Sequence, residues 1–377
     1  MKSLLSWFVL IVSIAVIVSS CAKSDDSKTA STDNTTSSSG DSSDDSSDNS
    51  TSTSDNSSSS SSSSSGLEMF VGVGGISSGP NITTYVYKST DNGSTWDNAS
   101  IPYVGKHGSS SIAFGDNTFV SVGDWAGGNS LIRSTDNGST WDNVTGGIQE
   151  KLNGVAYGNN TFVAVGRSIT RSTDNGTTWD NASAPTGNDI SVNENFLSEI
   201  AFGNNIFVAV GSFGNIIRST NNGSSWDNET WVHTVENDSS LRDVAFGNNT
   251  FVAVGMGNKI IRSTDNGSTW DNATVPSGIN SFNDVAFGNN TFVAITSVCG
   301  PCKSYVVRST DNGSSWDNGT ISVGTLYIQD VGFGNGVFII TSEGGLILRS
   351  TDNGSTWDNM TQYDSNLPKI TAVGFSN

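Results

Sequence analysis

Four carboxylates recur at one place in a repeating chain. Glu199, Asp243, Asp284 and Asp330 are spaced 44, 41 and 46 residues apart, and each stands immediately before a short apolar run such as "IAFG" or "VAFG". Ser111, Gly154 and Ala372 hold the same place in three further copies. If the copies close on one another, the acids form half a ring of anionic oxygens. Clustered oxygens suit a hard cation such as Ca²⁺ or the basic side chains of a bound segment. The plainer reading is that these acids accept backbone hydrogen bonds where successive copies meet. Two carboxylates roughly 5–10 Å apart could also hydrolyse a glycoside, although any two facing loops could offer such a pair.

Other reactive side chains are few. Trp125, Trp231 and His233 fall in stretches that differ between copies. An exposed Trp there could stack on a sugar or anchor a partner, or simply cover its own loop. His107 and His233 are the only two histidines, too few for a histidine metal site, and no metal site is expected. "CGPC" places Cys299 and Cys302 two residues apart within a loop between two strands. Thiol redox chemistry needs a helix start that lowers one thiol pKa, so a local disulfide formed after export is expected. Free or metal-bound thiols and redox catalysis remain as alternatives.

The elements that position these residues are set by an eleven-residue box, "RSTDNGSTWDN" at 262–272, present in seven nearly identical copies. Its acid falls at Asp91, Asp136, Asp174, Asp265, Asp311 and Asp352, with Asn221 in the fourth copy, at spacings of 45, 38, 47, 44, 46 and 41. Its tryptophans are Trp96, Trp141, Trp179, Trp226, Trp270, Trp316 and Trp357. A period in the low forties fits one four-stranded blade of a β-propeller. Within one copy, "LRDVAFGN" (241–248), "NTFVAVG" (249–255), "KIIRST" (259–264) and "STWDNATV" (268–275) read as four strands, innermost to outermost. Gly-Asn-Asn and Asp-Asn-Gly supply the turns between them. The box tryptophan should bury its ring against the blade, and the recurrent Arg262 and Asp271 could pair together or across blades.

The two ends of the repeat region complement each other. "MFVGVGG" (69–75) matches a second strand and "ITAVGFSN" (370–377) matches a first strand. The first blade should therefore take its innermost strand from the C-terminus, closing a seven-bladed ring without an open edge.

The box resembles the Asp-box, or BNR repeat, S-x-D-x-G-x-T-W, with Asn221 for Asp and Ser225 and Ser315 for Thr. That resemblance covers 67–377 and implies a fold shared by sialidases, xyloglucanases, sortilin-type receptors and the seven-bladed photosystem II assembly factor family. It implies no single activity, because the box lies on the rim away from the ligand face in those families. Seven blades in one domain look most like the assembly-factor group. A sialidase-like site would need three arginines to clamp a carboxylate, and only Arg167 and Arg242 lie outside the boxes. The expected function is a non-catalytic binding or scaffold module for protein or glycan, with a glycan-processing hydrolase as the alternative.

The regions before the repeats point to export. Leu4–Val18 is an apolar run, short for a membrane span, and Val18-Ser19-Ser20-Cys21 resembles a bacterial lipobox. Residues 1–20 read as a lipoprotein signal peptide and Cys21 as the lipidated residue. Residues 21–66, rich in Ser, Asp and Asn, read as a disordered tether of roughly 40 Å. Residues 67–377 carry 28 acidic against 14 basic residues, which argues against nucleic acid as a partner. The expectation is a monomeric cell-envelope lipoprotein, on the outer membrane if there are two, with no required cofactor and Ca²⁺ as a candidate ion only. Asn-x-Ser/Thr sequons such as Asn92-Gly-Ser are read as turn chemistry.

Overall fold

The computed structural model describes residues 68–78, 81–100, 107–125, 131–144, 150–182, 196–229, 240–279, 281–296, 304–319, 327–362, 364 and 366–376. The leader, the tether, Trp231, His233, Cys299 and Cys302 lie outside them.

Seven antiparallel sheets of four strands make an all-β, seven-bladed β-propeller. In the fifth blade the strands are Leu241–Gly247, Thr250–Gly255, Lys259–Ser263 and Asp271–Asn272, innermost first. The first blade takes its innermost strand from the C-terminus. Lys369–Ser376 pairs with Met69–Ser78, with Phe70 opposite Phe375 and Val71 opposite Gly374. The Met69 amide donates to Ser376 Oγ at 3.1 Å across the seam.

The second strand is apolar on both sides because it is covered on both sides. In "TFVAVG" (250–255) every residue is buried. Alternate side chains enter two different cores, Phe251 and Ala253 on one side and Val252 and Val254 on the other. Each core is shared by two neighbouring blades: one joins Val163 and Val165 to Leu197, Phe207, Ala209 and Trp226. Full burial of one such side chain contributes about 1.5–3 kcal/mol, so the ring is held mainly by what lies between blades. Glycine at the end of six of the seven inner strands follows from this packing; the first blade has Ser376 there. A Cβ on Gly203 would lie 2.1 Å from Cγ of Phe246 on the next blade.

The outer strand is shorter than the sequence suggests: Asp271–Asn272 rather than 268–275. The box occupies the difference. Asn266 (φ 61°) and Gly267 (φ +80°) take left-handed backbone. Asp265 accepts from Ser263 Oγ at 2.8 Å, the Thr269 amide at 2.9 Å and Thr269 Oγ1 at 2.6 Å. The Trp270 indole N–H donates to the Gly267 carbonyl at 3.1 Å. The chain thus becomes extended only after Trp270.

The box arginines make two kinds of contact. Among the described residues the box Arg–Asp ion pair is present between Arg308 and Asp317, at 3.1 Å. Arg218 instead donates to the Asn266 carbonyl and to Ser268 Oγ (2.7 Å) in the next blade's box. Arg349 closes the same contact across the seam, to the Asn92 carbonyl at 2.7 Å. A guanidinium gains more from a fixed carbonyl and hydroxyl than from an exposed carboxylate in water.

Asp265→Ala should cost about 1–2 kcal/mol, because three hydrogen bonds to one carboxylate are lost at an exposed turn. Asp265→Asn should cost less. Asn221 shows why: its Oδ1 accepts from the Ser225 amide at 3.0 Å and its Nδ2 donates to Ser225 Oγ at 2.8 Å. Urea unfolding of the two variants checks the order.

Candidate functional site

The tight turns share one rim. Asn204 Nδ2, in the turn after an inner strand, donates to Oδ1 of the box residue Asn266 on the next blade at 2.9 Å. Asn248 to Asn312 and Asn289 to Asn353 repeat this contact. The inner strands start at the opposite face, where Phe196, Ser198 and Gln329 line the mouth of the central channel.

The inner strands carry a bulge there. In the fifth blade Leu241 pairs with Gly255 and Asp243 with Val254, leaving Arg242 as the extra residue. The same shift occurs at Ser110, Asn153, Ser198 and Gln329. It turns one side chain into the channel and the next toward the neighbouring blade. A cavity of about 210 Å³ results, lined by these extra residues and by Glu199, Asp243, Asp284 and Asp330. The structure therefore brings the four sequence-predicted acids together.

Each of three acids ties its blade to the next. Asp243 Oδ2 accepts from the Val285 amide at 2.6 Å, Asp284 Oδ2 from Val331 at 2.5 Å and Asp330 Oδ2 from Val373 at 2.9 Å. Ser111 Oγ plays the same part for the Val155 amide, at 3.3 Å. Glu199 is the exception. Its longer side chain reaches past the third blade to Ser111 Oγ at 3.3 Å. Gly154 makes this possible, since a Cβ there would lie 2.3 Å from Glu199 Oε1.

The acids also act on one another: Asp284 faces Asp243, and Asp330 faces Asp284. Asp243 is 6% exposed, and the other three keep part of their surface open to the cavity. All four nonetheless sit deep enough in protein for charge to be penalised. Burial, then the neighbouring Asp330 charge, holds the Asp284 pKa well above its ordinary value. Burial followed by Asp284 does the same for Asp243, and burial followed by Asp243 for Glu199. Burial raises Asp330 to about 7 against the opposing pull of the Val373 amide. Carboxyls in contact cannot all ionise, so protons are held between them.

One oxygen of each of Asp243, Asp284 and Asp330 is thus taken by a backbone amide, and among the described residues no group of three or more Asp, Glu, His or Cys is arranged to hold a metal.

Trp125 requires a correction. It is not in a loop but ends the strand Thr118–Trp125, where it pairs with His107. The inner hairpin of the second blade is lengthened by this pairing, which takes up Asp124 and Trp125.

The sequence reading missed the apolar residues of this face. Phe196, Phe213, Tyr327 and Leu367 are the exposed large hydrophobics among the described residues, with Phe213 57% exposed. Phe196 and Tyr327 directly precede inner strands, and Leu367 comes two residues before one. Phe213 sits in the turn between the second and third strands of the fourth blade, at positive φ. A scan for apolar residues just before each inner strand would have found three of the four.

No family model and no curated protein matches the chain. Solved structures do resemble it. A structure of YCF48 bound to D1 peptide has a TM-score of 0.53 at 16% identity, covering 79% of this chain and 89% of that one. YCF48 from Cyanidioschyzon merolae gives 0.52 at 16% identity, covering 69% and 86%. The computationally designed Ika8 protein gives 0.50 at 13% identity, covering 80% and 89%. At these identities the likeness establishes the propeller fold.

Proposed function

We propose that this chain is a non-catalytic binding module that docks a protein segment on the loop face around the channel mouth. One observation carries the reading: Phe196, Phe213, Tyr327 and Leu367, the exposed large apolar residues among the described ones, all lie on that face. Exposed aromatic and large apolar side chains are the usual anchors of a protein-binding patch. The extra residues at the mouth agree. Equivalent positions hold Ser110, Asn153, Ser198, Arg242, Asn283, Gln329 and Thr371, five residue types in seven places, while the opposite rim repeats one motif. Variable positions on a fixed scaffold are where recognition sits. YCF48, a neighbour in fold, has been solved with a bound peptide. That likeness agrees with peptide binding as a use of the fold.

Phe196→Ser with Tyr327→Ser should abolish capture of a partner from native envelope extract while leaving the melting temperature unchanged. Asp265→Ala should lower the melting temperature and leave capture intact. Capture lost in Asp265→Ala but kept in the double variant would place binding on the wrong face.

The module is proposed to be held at a membrane by lipid on Cys21, with the Ser/Asp-rich segment as spacer. Wild type should then enter the detergent phase on Triton X-114 partition and Cys21→Ser should not. A mature wild-type chain that remains aqueous would refute the anchor.

A further inference from the structure

Every blade ends in Trp-Asp-Asn-x-Ser/Thr: Asn98-Ala-Ser, Asn143-Val-Thr, Asn181-Ala-Ser, Asn228-Glu-Thr, Asn272-Ala-Thr, Asn318-Gly-Thr and Asn359-Met-Thr. The middle residue varies among Ala, Val, Glu, Gly and Met, and the third is always a hydroxyl. Asn-x-Ser/Thr without proline is the acceptor pattern for N-linked glycan.

The structure separates these sequons from those in the turns. Box asparagines lie at positive φ inside a closed turn, and Asn222, Asn266, Asn312 and Asn353 accept from the neighbouring blade. Their hydroxyls are also engaged, as Ser268 is by Arg218. Turn asparagines such as Asn159, Asn248 and Asn289 donate those same bonds. Turn chemistry accounts for them fully. The outer-strand asparagines are different. Asn143, Asn181, Asn272 and Asn318 are exposed on the last strand of their blades, and their side-chain amides have no partner among the described residues.

A structural reason for the retained hydroxyl exists in the seventh blade, where Thr361 Oγ1 accepts from the Ile347 amide at 2.7 Å and donates to the Gly345 carbonyl at 2.8 Å. That hydroxyl is committed, so Asn359 is set aside. The fifth blade lacks this cap. There Thr274 is exposed, and its backbone amide donates to the Ser314 carbonyl while its own carbonyl accepts from the Trp316 amide.

We propose that Asn272, and with it Asn143, Asn181 and Asn318, equally exposed on the outer strand but with sequon hydroxyls that lie outside the described residues, are N-glycosylation sites. The co-reactant is a glycan carried on a polyprenyl phosphate or pyrophosphate, transferred by an oligosaccharyltransferase at the membrane. The Nδ2–C1 bond forms, the bond from C1 to the phosphate oxygen breaks, one Nδ2 proton passes to an enzyme base, and the lipid phosphate leaves. The sugars would line the outer girth of the ring and leave the channel mouth clear. This inference rests on the reading of Leu4–Val18 as an export signal.

Glycopeptide mass spectrometry of the protein from its native cells tests it. Peptides with these four asparagines should carry hexose or N-acetylhexosamine mass. Thr274→Ala should remove the increment at Asn272 although the asparagine remains, and Asn266→Gln should change nothing. Unmodified peptides at all four sites, or sugar confined to box asparagines, would overturn the proposal. The mature N-terminus, read from the same sample, shows separately whether the export reading has failed.

Discussion

Deleting Ile370–Asn377 is expected to open the ring and leave a chain that aggregates. The deletion removes the innermost strand of the first blade, so the backbone of Met69–Ser78 becomes a free edge. It also removes Ile370 and Val373 from the core shared with Val337, Ile339 and Ile347, and Phe375 from its contact with Phe70 at 4.8 Å. Losing two or three buried apolar side chains and a row of strand pairs costs several kcal/mol, comparable to the whole stability of an ordinary domain. A truncated protein that stays monomeric and melts with wild type would contradict the observed closure.

Much of this was legible in the sequence because the repeat states it seven times. Inner, second and third strands fall within a residue or two of their expected bounds, since period-2 patterning and Asn-rich turns agree at each copy. The seam was legible because "MFVGVGG" and "ITAVGFSN" are each half of a blade. The outer strand was overextended because the hydrogen bonds of Asp265 and Trp270 compete with strand geometry over Ser268–Trp270, and letter patterns do not record that competition. The four acids were placed at one level correctly. That Glu199 passes over Gly154 to reach Ser111 depends on a missing Cβ in the blade between them. Phe196, Phe213, Tyr327 and Leu367 escaped notice because isolated apolar residues in loops carry no period; only the fold shows that they share a face.

Raising the pH from about 5 to about 8 is expected to destabilise the propeller. An unfolded aspartate titrates near 3.9. Asp330 titrates at about 7 in the fold, and Glu199, Asp243 and Asp284 lie well above their ordinary values. Between these limits the folded state holds more protons than the unfolded one, so stability falls as pH rises. The contribution is complete below about pH 4 and is lost through about pH 7 and beyond. For Asp330 alone it is on the order of 4 kcal/mol. The box acids run the other way. Asp91 is lowered to about 2, first by the Thr95 hydroxyl, so its stabilisation is present above about pH 4 and is lost as pH falls through about 2. That group is almost wholly exposed, so its effect is small beside the buried acids. Melting temperatures measured from pH 4 to 9 should decline on the alkaline side, and Asp243→Asn with Asp284→Asn should flatten the decline. A flat wild-type profile, or an equal slope in the double variant, would show that these acids are not protonated ties between blades.

The central claim is that the two faces of the ring do different work: the uniform rim holds the blades together and the loop face binds. Hydrogen–deuterium exchange on the free protein and on the protein with its captured partner tests this directly. Protection is predicted at 196–199, 327–330 and 367–371, around the channel mouth, with box peptides such as 262–272 unchanged. Protection confined to the box peptides, with the mouth exchanging as in the free protein, would contradict it.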